Sequence, residues 1–231
     1  ITHPVYLEGP CVGRVSGRFG NSAWIYGLKA NEGGEAMDAI QQILDFVVAI
    51  EQLKDVQRKT RPVGLDRYEN SAEHSWHACL TALLFKDYAN EDIDIERVMK
   101  MLLIHDLGEI DAGDTNIYAS ETVENKQLEQ QGVERLLALL PEKMRQPLLD
   151  LWIEFETGDS KDSQYARAID RVPPLLHNLH GDGHSWKQHG ISLEQVLAVN
   201  TRIGKGSDAL WQVIRPKLEQ AANDGLMSQD S

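Results

Sequence analysis

The chain has 231 residues, 42% of them hydrophobic, which suits one globular domain with a substantial core. Its net charge of −13 argues against a protein that grips the nucleic-acid backbone, because that task needs a basic face. No stretch approaches the roughly 20 consecutive apolar residues of a membrane span. The two cysteines, Cys11 and Cys79, form no disulfide framework, which favours a cytoplasmic protein.

Residues 1–36 differ from the rest of the chain. Gly and Pro are scattered through them without a helical or strand period. The segment also lacks the charged start and apolar run of a signal peptide. We therefore interpret residues 1–36 as a flexible or non-native N-terminal extension. The folded domain is predicted to span residues 37–225.

Met37 opens the first predicted helix, in which apolar residues keep a 3.6-residue period as far as Lys54. A basic connector, residues 57–70, follows, and it contains Pro62 and Gly64 as helix breakers. Because few segments alternate with period two, the sequence predicts an all-α fold. The later helical stretches are predicted over residues 71–88, 94–106, 121–140, 141–155, 164–170 and in a pair that begins at Ser192.

The apolar run 101–104 ends in His105 and Asp106, at the predicted end of the third helix. A carboxylate in such surroundings costs several kcal/mol or shifts its pKa until it is neutral. A bound cation is the commonest remedy. The run therefore raises the question of where further ligands lie.

His74 and Asp170 are the other candidate ligands, because each lies on a helical stretch that is otherwise largely apolar. With His105 and Asp106 they make a mixed set of nitrogen and oxygen donors, which suits Mn, Co, Fe, Ni or Zn. Taken singly, each has a simpler explanation, such as a packed histidine or a solvated Asp-Arg ion pair. The joint pattern is what favours a metal site.

Two motifs resemble the HD-domain superfamily of metal-dependent phosphohydrolases. Residues 69–75 read Glu-Asn-Ser-Ala-Glu-His-Ser and are similar to the family's EN-x-x-EHS segment. Residues 105–109, His-Asp-Leu-Gly-Glu, with Gly-Asp-Thr at 113–115, are similar to the HD-x-x-E…GD loop of its 5′-deoxynucleotidase branch. The resemblance runs from Met37 to the final helix. It implies an HD-domain bundle of about six to eight helices around a single metal site.

The resemblance also implies roles for individual residues. One divalent transition metal, Mn or Co with Zn, Fe, Ni or Mg as alternatives, would be held by His74, His105, Asp106 and Asp170. Glu109 would be the acid/base residue and Asp114 a second catalytic carboxylate. Glu109 lies one turn past His105 and can face the same opening, since Gly108 would let the chain turn there. A solvated loop cluster is the simpler alternative for both carboxylates.

The basic connector supplies the predicted phosphate contacts, Arg58 and Arg61. The 5′-deoxynucleotidase branch carries an Arg-Trp pair ahead of its first His, whereas residues 57–61 contain no Trp. The connector therefore departs from the branch at the place where its phosphate contact is expected.

The predicted function is removal of phosphate from nucleoside 5′-monophosphates, deoxyribonucleotides above all. Two alternatives stay open: hydrolysis of another phosphate ester, such as a nucleoside triphosphate or cyclic dinucleotide, and a metal-binding regulatory HD module without turnover. No His occurs between Asp106 and Asp170, which argues against a two-metal phosphodiesterase. The partners expected are a small phosphate ester and a second copy of the chain, since the late helices carry many apolar residues. Neither nucleic acid nor membrane is expected as a partner.

Overall fold

The computed structural model describes residues 30–118 and 122–228, which form helices and contain no strand. Nine of these helices have eight residues or more, so the all-α prediction is confirmed, with slightly more helices than expected. In chain order the helices are α1 (Ala30–Ala49), α2 (Ser71–Phe85), α3 (Ile95–Ile104), α4 (Glu109–Ala112), α5 (Val123–Leu137), α6 (Glu142–Thr157), α7 (Lys161–Asp170), α8 (Val172–His180), α9 (His184–His189), α10 (Leu193–Asn200), α11 (Arg202–Gly206) and α12 (Asp208–Asn223). None of the described helices is long and apolar enough to cross a membrane.

Helix α1 begins at Ala30 rather than at Met37. The predicted N-terminal extension therefore divides: residues 30–36 are part of α1, and residues 1–29 lie outside the described part of the chain. Residues 30–36 contain alanine and glutamate, which are strong helix formers. Because of this helix preference, α1 can include the two glycines of the segment, although each glycine costs about 1 kcal/mol.

Side-chain caps fix where several helices start. At α2 the backbone N–H of Glu73 donates to Asn70 Oδ1 at 2.9 Å, and Glu73 Oε1 accepts from the backbone N–H of Asn70 at 2.8 Å. This capping box lies one residue before the predicted start at Ser71. Asp94 caps α3 and Ser192 caps α10, and each lies at the predicted start of its helical stretch.

The core lies where α2, α3 and α7 pack against one another. Fully buried apolar residues of these helices include Ala78, Met101, Leu102 and Ile169. The packing brings the first turn of α2 beside the C-terminal ends of α3 and α7. Residues from three distant parts of the sequence thereby meet at one end of the core.

Most apolar residues of the late helices complete the core, since Val196, Leu210, Ile214 and Leu218 are buried. Among the described residues, exposed apolar side chains are instead prominent on α1, where they include Met37, Ile40, Leu44, Val47 and Val48. The apolar content of the late helices is therefore used within the fold and does not by itself indicate a dimer.

Helix α11 packs so closely on α7 that the backbones of the two helices are in contact. A Cβ atom added at Gly206 would lie 2.6 Å from Ala168 Cβ and 2.7 Å from the carbonyl oxygen of Gln164. Both distances are too short for carbon contacts, so only glycine allows this approach.

Gly206→Ala is expected to lower the free energy of unfolding by about 1–3 kcal/mol, because the added methyl group must push α11 away from α7. Urea unfolding followed by circular dichroism measures this change. Gly34→Ala is the matched control, since nothing lies within 4 Å of its Cβ position on α1; we expect a gain of up to about 1 kcal/mol. Equal midpoints for Gly206→Ala and the wild type would contradict close packing of α11 on α7.

Candidate metal centre and active site

His74 projects from α2 into the meeting point of the three helices and is fully buried. Its Nε2 lies 2.8 Å from Asp170 Oδ1, at the end of α7. Its Nδ1 faces Glu69 Oε2 at 3.5 Å. A carboxylate on the far side of an imidazole orients the ring and favours a free lone pair on Nε2, which is common behind metal-binding histidines.

His105 follows α3 and opens a short 3₁₀ turn, His105–Gly108. Its Nδ1 lies 2.8 Å from the carbonyl oxygen of Leu102, which can only accept, so Nδ1 carries the hydrogen. Nε2 lies 3.0 Å from Asp106 Oδ1 and 3.3 Å from Asp170 Oδ1. Nε2 has no hydrogen bond of good geometry among the described residues. In the neutral ring this places a buried lone pair against carboxylate oxygens, which is unfavourable unless a cation lies between them.

The pKa shifts of His74, His105 and Asp170 indicate that positive charge is favoured between these side chains. Burial disfavours a charged ring at His105, but Asp106 and Asp170 outweigh it and raise the pKa of His105 to about 9. Burial and Arg58 oppose charge on His74, yet Asp170 and Glu69 raise its pKa above the usual value. Burial also opposes an ionised Asp170, but His105 and His74 hold its pKa well below the usual range.

The donor set fits a metal ion. Ligand atoms of His74, His105 and Asp170 all lie within 4.8 Å of one another, and Asp106 adjoins His105. Two imidazoles with carboxylates are typical of transition-metal sites. The structure thus brings together all four residues that the sequence proposes as ligands, and their role as ligands stays a prediction.

A second group of possible donors, Glu69 with His77 and His177, also lies within 4.8 Å. Glu69 Oε2, however, faces His74 Nδ1 and lies 3.5 Å from Arg58 Nε. The guanidinium opposes a further cation at this carboxylate. Glu69 is therefore better described as a residue that positions His74, a role that sequence reasoning missed although its motif includes the residue.

Arg58 lies among the site's carboxylates and is 11% exposed. Its Nη1 donates to Asp106 Oδ2 at 2.8 Å and lies 3.9 Å from Glu109 Oε1 and 3.8 Å from Asp114 Oδ1. Burial opposes its charge, but the surrounding carboxylates outweigh burial and raise the pKa of Arg58 above its usual value. Arg58 is thus the internal counter-ion of the cluster, and the predicted phosphate contact from it remains a prediction.

Arg61, the other predicted phosphate contact, is not brought to the site. It lies 3.5 Å from Asp66 and 5.4 Å from the ring centroid of Tyr68, beside a separate surface cavity. Pro62 follows directly and starts a turn that directs the chain away from the carboxylates.

Glu109 faces the same cavity as His105 without belonging to the group of converging donors. Its Oε2 accepts a hydrogen bond from Ser71 Oγ at 2.6 Å. Burial, and then the charge of Asp106, raise the pKa of Glu109 well above its usual value. Burial also raises the pKa of Asp114, against the opposing effect of Arg58. A carboxyl group whose pKa is raised by burial is suited to acid/base chemistry.

Gly108 has a different role from the turn that the sequence suggested. Its backbone is helical, with φ −64° and ψ −26°, so the chain does not need glycine there for a turn. A Cβ atom at this position would lie 2.6 Å from the carbonyl oxygen of Glu129 on α5. Gly108 is required by the close approach of α5, which the sequence alone could not reveal.

A cavity of about 460 Å³ opens onto the site. Its volume is within the usual range for small-molecule sites. It is lined by His105, Asp106, Glu109, Asp114 and Asp170 and also by Arg167, Arg171, Arg202 and Lys205. Sequence reasoning missed this second set, although Arg171 directly follows a candidate ligand.

Known proteins are similar to this chain in sequence. A family model described as HD domain matches residues 50–211, more than half of the chain. The protein 5′-deoxynucleotidase HDDC2 of Homo sapiens is 26% identical over 140 residues, and that of Bos taurus is 28% identical over 140 residues. Each alignment covers 59% of this chain and 66% of the relative, just under two thirds of the relative's length.

Solved structures lead to the same family. A predicted metal-dependent phosphohydrolase from Magnetospirillum magnetotacticum MS-1 is 38% identical, with a TM-score of 0.78 over 83% of this chain and 100% of that one. A conserved hypothetical protein from Pyrococcus furiosus, 19% identical with a TM-score of 0.51 over 78% of this chain and 99% of that one, shares the fold alone. The chain belongs to the HD-domain superfamily of metal-dependent phosphohydrolases, and the resemblance seen in its motifs is confirmed.

Proposed function

We propose that this phosphohydrolase removes the phosphate from nucleoside 5′-monophosphates and that it prefers deoxyribonucleotides. One observation carries the proposal: the cavity lined by His105, Asp170 and Glu109 lies beside the converging donor set that His74 completes, and burial raises the pKa of Glu109. The relatives named 5′-deoxynucleotidase support the choice of nucleotide.

His74, His105, Asp106 and Asp170 would hold one divalent metal ion. When bound there, such an ion supplies a Lewis acid for a phosphoryl oxygen and lowers the pKa of a water molecule. Mn and Co are the metals we expect, with Zn, Fe, Ni and Mg as alternatives.

Glu109 handles the proton of the reaction in this proposal. Its raised pKa lets the carboxyl group donate a proton to the departing alcohol oxygen. The hydrogen bond from Ser71 to Oε2 fixes the carboxyl group, and Oε1 lies 3.9 Å from Arg58 Nη1. Asp114, which lies across Arg58 from Glu109, is proposed to contact the sugar and to influence the choice between deoxyribose and ribose.

The deciding experiment is a panel of phosphate esters assayed with Mn, Co or no added metal. It contains deoxyribonucleoside and ribonucleoside 5′-monophosphates, a nucleoside triphosphate and a cyclic dinucleotide. We expect metal-dependent phosphate release from the monophosphates, fastest from the deoxy forms. Cleavage of the diester with the monophosphates untouched would overturn the proposal. No turnover of any ester by metal-loaded protein would favour the regulatory module.

A homodimer and a cytoplasmic location also stay proposals. The exposed apolar side chains of α1, rather than those of the late helices, now offer the surface most suited to a second copy.

A further inference from the structure

The cavity carries four cationic side chains. Arg167 and Arg171 are one turn apart at the end of α7, and Arg202 and Lys205 lie on α11, which packs against α7. All four line the cavity that His105 and Asp170 also line. Carboxylates line the same cavity, among them Glu129 and Glu156, so the four cations lie in mixed surroundings within a chain of net charge −13.

These cations differ in what they already contact. Arg167 donates to the carbonyl oxygens of Phe155 and Glu156 and lies 5.7 Å from the Phe155 ring centroid, so its position is fixed by α6. Arg171 has Asp170 Oδ2 at 3.8 Å from its Nε, and this Nε is buried without a hydrogen bond. The side chain of Arg202 makes no hydrogen bond or ion pair with any residue in the described part of the chain.

Arg202 is held in surroundings that disfavour its charge. Burial, followed by repulsion from Arg171 and Arg167, outweighs the attraction of Asp170 and Glu156 and lowers the pKa of Arg202 to about 10. Partly buried like charges repel one another, and an anion bound between them would relieve this repulsion. The contrast with Arg58 is clear, because carboxylates already surround that guanidinium.

We propose that Arg171 and Arg202 bind the phosphate group of the substrate, through the guanidinium hydrogen bonds that match phosphate oxygens. Arg171 adjoins Asp170, so a phosphate bound by it lies next to the candidate metal ligands. Planar guanidinium groups bind phosphate with two parallel hydrogen bonds, which lysine cannot do. Because this assignment rests on the proposed function, its test is made on binding as well as on turnover.

Inorganic phosphate is the probe, titrated into wild-type protein and its variants by isothermal calorimetry at fixed ionic strength. Arg202→Gln and Arg171→Gln are expected to weaken phosphate binding by roughly 10- to 100-fold, as loss of a charged hydrogen-bond donor usually does. Arg202→Lys should recover only part of the loss. Arg215→Gln is the matched control, since Arg215 is an exposed residue of α12 that pairs with Glu219 at 2.9 Å; it should bind phosphate like the wild type.

Metal content and circular dichroism spectra are measured for every variant. Arg202 decides the outcome, because it is distant in sequence from the candidate ligands and its loss should leave the metal content unchanged. With an active substrate, Arg202→Gln should raise KM by a similar factor and change kcat little.

Wild-type phosphate affinity in folded Arg202→Gln and Arg171→Gln would overturn the assignment, even if the enzyme hydrolyses nucleotides. Weakened phosphate binding together with failure of every nucleotide in the panel would keep the subsite and reject the proposed substrate. The two failures are therefore distinguishable.

Discussion

Replacing Glu109 with glutamine is expected to lower kcat by about 100- to 10,000-fold, the usual contribution of a well-placed acid or base. Glutamine keeps the size of the side chain and its hydrogen bond with Ser71 but cannot transfer a proton. Metal content should be unchanged, because Glu109 is not one of the converging donors. Steady-state assays with a nucleoside monophosphate, beside elemental analysis, measure both quantities.

The pH dependence of stability is a second property in which Glu109→Gln should differ from the wild type. Because its pKa is raised by burial and by Asp106, Glu109 is protonated in the folded protein over a wider range than in the unfolded chain. Its contribution to stability is therefore complete below the unfolded pKa and is lost as the pH rises through the folded pKa. Metal-free Glu109→Gln should match the wild type in acid and exceed its stability at higher pH.

Glu142→Gln is the control for this experiment, since Glu142 is exposed on α6 and pairs only with Arg145 among the described residues. It should leave kcat unchanged. If Glu109→Gln turns over at the wild-type rate with full metal content, the proton is handled elsewhere, and Asp114 becomes the candidate.

His105→Ala is expected to remove the metal, from close to one ion per chain to near zero by elemental analysis. It should also lower the free energy of unfolding by about 3 kcal/mol, the lower end for breaking a buried charged pair, because Arg58 still contacts Asp106. His180→Ala is the matched control, since His180 is an exposed residue beside a separate cavity. Full metal occupancy in His105→Ala would reject the assigned ligand set.

The pKa of His105 is raised in the folded protein, so its contribution to stability is lost as the pH rises. The contribution of a carboxylate with a lowered pKa is instead lost as the pH falls. In the metal-free protein its pKa is raised to about 9, so its contribution to stability is fully present below the ordinary value of 6.5. That contribution is lost as the pH rises towards 9. The stability difference between metal-free wild type and His105→Ala should therefore be largest in mild acid and decrease across this interval.

The sequence predicts the all-α class well because helical periods and caps are local signals. It also identifies the four candidate ligands, since polar residues within otherwise apolar helical stretches can be recognised from the sequence pattern. It does not reveal that Arg61 lies away from them, because a turn that starts at Pro62 decides its direction. Arg202 carries no local signal at all. Its position depends on α11 packing against α7, which only the folded chain reveals.

The segment Glu69–Ser75 acts as one unit, and this limits how it can be altered. Asn70 and Glu73 cap each other, Ser71 holds Glu109, and Glu69 faces His74. Residues that share partners in this way show non-additive effects when they are changed together. A library that randomises these positions one at a time would therefore miss the combinations that work. Redesign of the site for another ester should exchange the segment as a block.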